Sequence, residues 1–348
     1  MRVMTGKIKK TLPDPEPPPG LYDGTAAEQD LWFLPGEIPD DLIHTPLPRA
    51  DHRLIDVAEW AAAQAALPGE LAQVALLYGA LEERLRLGPR GWRHRLALRE
   101  ATDLSWAVGD RIPVDRLGLW QVLHLSGVQD DAPGLARASW AFRRLVGDAV
   151  PEHGLASFLG RQGRPEAVAD LSLIMADLAQ LHAVTRAVAL AQGWRMLGQG
   201  GAACEIEALV LAGSIAAAMG RGVAGFVPQG GGQAARGGAQ APRSAAKDWL
   251  ASWLKAAAQA VLAALLHLDR VRDWQASAGA ALADLQGRTP ALLLAVLTGW
   301  PLVTAPMAEA LTGASTATVR RNLAVMQDRR LVREVTGQGR YRVWTAQL

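Results

Sequence analysis

Apolar residues recur at helical spacing through most of this 348-residue chain, and alternate only after about residue 330. That single change of period constrains the fold more than any other feature. Leu71, Val74, Leu77, Tyr78, Leu81 and Leu85 form a 3/4 stripe that Gly88-Pro89 ends. Comparable segments follow over Trp92–Val108, from Pro113 to about Ser126, and over Gly134–Val146. An earlier one begins near Leu54, after Asp51. Strand signal is nearly absent before residue 330. Beyond it, Leu331-Val332-Arg333-Glu334-Val335, a Gly-containing turn and Arg340-Tyr341-Arg342-Val343-Trp344 read as a hairpin. The expected class is mainly α with one small β element at the end.

The organisation follows from composition. Residues 1–50 hold nine of the twenty prolines, so they read as an extended, proline-rich arm. Within it Leu31, Trp32 and Phe33 form an apolar cluster behind two acids; it either docks into a partner groove or packs on its own body. Residues 51–219 read as a helical body, in which five Trp fall one to a helix or helix start and act as core staples. Residues 220–246 read as a Gly-rich linker or loop, residues 247–287 as a long helix, and residues 288–348 as a separate C-terminal domain.

Several chemistries find no support. One cysteine, Cys204, permits no intrachain disulfide and reads as a small buried hydrophobe. The seven His are scattered, with no metal-ligand spacing. Gly220-Arg221-Gly222-Val223-Ala224-Gly225 matches GxGxxG, but no strand precedes it and no helix follows directly, so no cofactor is expected. The acid pairs Asp40-Asp41, Glu82-Glu83 and Asp130-Asp131 are expected on solvated faces or turns. Nothing here argues for catalysis. No secretory signal opens the chain, and the uncharged apolar runs are only about 13 residues, short of the roughly 18–20 a bilayer needs. The expectation is a cytoplasmic protein without a membrane partner.

The tail carries the functional signal. Thr289 reads as an N-cap with Pro290 at the first helical position of a helix to Trp300, which Pro301 stops. A short helix from about Pro306 to Leu311, a Thr312-Gly313-Ala314 turn and a helix capped by Ser315 follow. In that last helix Val319, Leu323 and Met326 make a buried stripe, leaving Arg321 opposite it and Arg320 on its flank. The whole chain has a net charge of +2, yet from Arg288 onward eight Arg stand against three acids. Helix, helix, Gly turn, capped helix and hairpin is the order of a winged helix-turn-helix. Such a module presents the N-terminal half of its last helix to the major groove.

MAEALTGASTATVRRNL and LVREVTGQGRYRVW resemble the C-terminal winged-helix module of bacterial regulators and of Fic-type proteins. With the DLWFLP segment, the longer pattern is similar to an alphaproteobacterial plasmid-borne family of unknown function. The Fic catalytic motif HPFxxGNGR is absent, so adenylylation is not implied. The resemblance places the DNA-facing positions on Thr316, Thr318, Arg320, Arg321, Gln338 and Arg340, with Gln338 where many such tails carry Lys.

The expectation is a non-enzymatic protein binding double-stranded DNA, a transcriptional regulator or plasmid-maintenance factor whose body dimerises or binds a partner. The rival is an interaction subunit that uses the tail and the arm for protein docking. A third reading, an enzyme built from distant residues, requires a deep pocket with converging acids or His.

Overall fold

The computed structural model describes residues 54–123, 131–160, 165–198, 200–230, 245–337 and 341–348. Leu31, Trp32 and Phe33, with the rest of the proline-rich arm, lie outside them, as do Gln338 and Arg340. Five helices open the body: α1 (Val57–Ala65), α2 (Pro68–Leu87), α3 (Gly91–Ala107), α4 (Val114–Leu123) and α5 (Ala132–Val146). The first starts later than the sequence suggests. Asp56 is its cap, with Oδ1 accepting from the Ala58 N–H at 2.9 Å. Then come α6 (Leu155–Leu159), α7 (Pro165–Asp177), α8 (Ala183–Leu197) and α9 (Gly201–Ala216).

The body is centred on α9, which is buried nearly all round and packs along α8 and α5. A helix apolar on every side belongs inside a core. Trp194 of α8 is fully buried and donates from its indole to Glu207 of α9 at 3.1 Å. Cys204 is buried there too. Of the five Trp expected as staples, Trp60 and Trp92 are buried and Trp120 and Trp140 half-buried. Trp106 is instead 51% exposed. The long helix α10 (Ala246–Ala281) lies against α1 and α2 and reaches from the body to the tail.

Charge-free runs understate the apolar helices. Gly201–Met219 (19 residues, mean hydropathy 1.6) and Ala246–Ala281 (36 residues, mean hydropathy 1.4) are long and apolar enough, by length and composition, to cross a membrane. The apolar window of the first is 72% buried inside the protein, as in a core helix, whereas that of the second is 44% buried.

The described part of the Gly-rich stretch, residues 220–230, packs tightly rather than hanging as a linker. Phe226, Val227 and Gln229 are buried. The GxGxxG text here turns its N–H groups on an anion, but the anion is internal. The Glu82 carboxylate accepts from Arg221 N, from Val223 N at 2.9 Å and from Ala224 N at 3.5 Å. Successive backbone amides in a tight turn form such a nest. Glu82, expected on a solvated face, is therefore buried, while its neighbour Glu83 is exposed and pairs with Arg86.

The tail runs α11 (Thr289–Gly299), β1 (Val303–Thr304), α12 (Ala305–Thr312), α13 (Thr316–Asp328), β2 (Val332–Glu334) and β3 (Val343–Ala346). Thr289 is not the expected cap; α11 begins on it, and Arg288 stands at the cap position without a side-chain bond. The strands form an antiparallel sheet in the order β1-β3-β2, with Val303 opposite Trp344 and Val332 opposite Ala346. β1 was not expected. It is two residues long, and its backbone partner arrives only with β3.

The hydrophobic cluster of the tail does not begin at residue 288. Trp274, Ala278 and Leu282 belong to it, together with Leu293, Leu297, Val319, Leu323 and Met326. Trp274 donates from its indole to Leu331 O at 2.9 Å, which ties the end of α10 to the sheet.

Candidate nucleic-acid interface

The geometry of α13 follows from its ends. Gly313 takes φ +67, a left-handed conformation that costs a glycine little, and reverses the chain after α12. Ser315 then caps α13, its Oγ accepting from the Thr318 N–H at 3.4 Å. The Thr318 hydroxyl lies 3.0 Å from the same Oγ, and Asn322 donates to Thr318 O at 2.9 Å. Thr318 is thus half-buried and committed to the cap, so its hydroxyl is less available to a ligand than the sequence suggests.

Val319, Leu323 and Met326 are buried in the tail core. That fixes the rotation of the helix. Thr316, Ala317, Arg320 and Arg321 are turned into solvent, and none of the other described residues buries them. Neither Arg320 nor Arg321 joins a salt bridge among the described residues.

Other tail arginines are engaged. Arg329 grips Asp284 at 2.6 Å and donates to Ala281 O at the end of α10. Arg333 pairs with Asp115 of α4 at 2.6 Å. The tail's positive excess is therefore divided: some arginines fasten the tail, and Arg320 and Arg321 remain at the surface.

The hairpin leaving β2 is shaped by Glu334. Its carboxylate accepts from Thr336 N at 2.8 Å, from Gly337 N at 3.1 Å and from the Thr336 hydroxyl. This absorbs a negative charge into the turn. Tyr341, two residues before β3, is 78% exposed with φ +57.

Between α13 and this hairpin opens a groove of about 900 Å³. Arg320, Gln327 and Asp328 line one side, Tyr341 and Trp344 another, and Val122 of α4 closes an end. The groove mixes two cations, Arg320 and Arg342, with one acid, Asp328, and aromatic surface.

The tail is bolted to the body through Arg95 of α3. This buried guanidinium donates to the carbonyls of Leu297, Thr298 (3.2 Å) and Trp300 (2.7 Å), the open end of α11. A cation at a helix C-terminus satisfies both the orphan carbonyls and the helix dipole. Burial lowers the Arg95 pKa to about 10, which leaves it charged at neutral pH. Trp92 adds an indole bond to Thr298 O at 3.1 Å. Gly91 permits the approach, since a Cβ there would stand 2.3 Å from Gly299 O.

Sequence reasoning missed this junction. Arg95 carries no local signal, because its partners lie about 200 residues away. Among the described residues no group of His, Cys, Asp or Glu is placed to hold a metal ion. No protein-family model matches this chain, and no curated protein matches it.

Proposed function

We propose that residues 288–348 form a winged helix-turn-helix that contacts double-stranded DNA through the N-terminal half of α13. The protein would then act in the cytoplasm as a transcriptional regulator or plasmid-maintenance factor, without catalysing a reaction. One observation carries the reading: Arg320 and Arg321 stand exposed, outside any described salt bridge, on a helix whose orientation a buried stripe fixes. The element order, with a three-stranded sheet ordered β1-β3-β2, supports it. Small residues at Thr316 and Ala317 permit close approach to base edges, and the two guanidinium groups suit phosphate oxygens or guanine. In this reading the body dimerises the protein or binds a partner.

The groove favours a second reading. Its exposed Tyr341, its acid Asp328 beside Arg320 and Arg342, and Val122 from α4 offer a peptide both apolar and charged contacts. There the protein is an interaction subunit that docks through the tail.

The test begins by locating bound sites through genomic footprinting, then titrates the full chain against such a duplex by fluorescence anisotropy. Arg320→Ala with Arg321→Ala is expected to weaken binding at least tenfold and to lower the slope of log K against log salt by about 2. Both side chains are exposed, so circular dichroism should be unchanged. Equal affinity in wild type and double variant would transfer the assignment to the docking reading.

A further inference from the structure

A second cavity, of about 410 Å³, lies where α3, α4 and α10 meet the tail. Three arginines and a histidine converge on it: Arg95 and Arg99 from α3, His267 from α10 and Arg333 from β2. Asp115 is the only acidic side chain among its lining residues. Two of the cations are already satisfied, Arg333 by Asp115 and Arg95 by the carbonyls of α11. Arg99 forms no salt bridge among the described residues. Its Nη1 lies 3.4 Å from His267 Nδ1.

A guanidinium has no acceptor, so as a hydrogen bond this contact has Nδ1 accepting and the proton of the neutral ring on Nε2. Burial and the charges of Arg99, Arg95 and Arg270 push the His267 pKa down to about 3, in accord with a neutral ring. Asp103, one turn further along α3, lies outside the lining; burial raises its carboxyl pKa and the charge of Arg99 lowers it. Arg95, Arg99 and Arg333 still outnumber the Asp115 carboxylate and the carboxylate of the last residue, Leu348, beside apolar walls from Leu98, Val114 and Leu302.

We infer that this cavity binds a small organic carboxylate with an apolar body. The Arg99 fork matches a carboxylate in two-point geometry. The His267 Nε2–H supplies a further donor, the charge of Arg95 adds a favourable field, and the apolar walls take the ligand's carbon skeleton. The volume lies within the range of about 300–1,000 Å³ of small-molecule sites. The ligand would rest against Leu302 and the Arg333–Asp115 pair, where tail and body join. The site is independent of what α13 binds.

The full chain is titrated with benzoate, isovalerate and succinate, with benzamide as the neutral isostere of benzoate and with inorganic phosphate. Benzoate or isovalerate is expected to raise Tm saturably, by about 2–4 °C at roughly tenfold excess over Kd, and benzamide is not. The same titration should shift the His267 ring resonances in NMR. Arg99→Met, at an exposed position that tolerates the change, should abolish both responses, and Arg99→Lys should restore part of them. The inference is overturned by a Tm indifferent to all three carboxylates, by equal stabilisation of Arg99→Met, by a response to benzamide, or by a response to phosphate alone.

Discussion

Glu100 shows how far burial moves a single residue from what its type suggests. Its carboxyl accepts from Gln229 N at 3.0 Å and from Gly230 N at 3.4 Å, holding the end of the Gly-rich loop in the core. Burial first, and then the charge of Asp103, raise its pKa to about 8, against the pull of those two N–H groups. Between the ordinary carboxylate range and that value the folded chain keeps a proton that the unfolded chain releases. The stability this group contributes is complete at acid pH and is lost as pH rises toward 8, by at most about 1.4 kcal/mol per pH unit. Glu100→Gln is neutral throughout, so thermal unfolding at about pH 5 and about pH 8 should show a smaller fall in Tm than wild type. An identical fall in both proteins would remove Glu100 from the titration. Nothing in the sequence separates Glu100, or Glu82, from a solvated glutamate, because the amides they accept from lie about 130 residues away.

Among the elements, α13 was the most legible. The Gly313 turn, the Ser315 cap and the Val319, Leu323, Met326 stripe are local signals, and each has its expected structural role. Ser315→Ala is expected to cost about 1 kcal/mol, measured by urea unfolding. A change under a few tenths would mean that Gly313 and the stripe position the helix without the cap. β1 was illegible for the opposite reason. Two residues cannot show a period, and Thr304 also caps α12 through the Met307 N–H at 3.3 Å. The Gly-rich stretch misled in a different way: its composition is that of a linker, yet the side chains of Phe226, Val227 and Gln229 anchor residues 220–230 in the core.

For the whole molecule, the tail and the long helix share one core. Residues 288–348 alone would lack Trp274, Ala278 and Leu282, the Asp284 partner of Arg329 and the Arg95 clamp. That fragment is expected to show no cooperative thermal transition by circular dichroism, whereas the intact chain melts cooperatively. A sharp melt of the fragment would show that its own side chains suffice. The same attachment holds α13 at a fixed angle to the body, so whatever α13 contacts is presented together with α4 and the groove beside it.

By itself the sequence determined what local physics can encode: the succession of helices, the reversal at Gly313, the Ser315 cap and the period-2 segments at the end. Tertiary structure decided the rest. It chose which arginines fasten the tail and which stay in solvent, buried Glu82 and Glu100 against distant amides, and placed Arg95 under the end of α11. The physical reason is that burial and charge pairing depend on neighbours remote in sequence, whereas caps, turns and periodicity depend on residues only a few positions away.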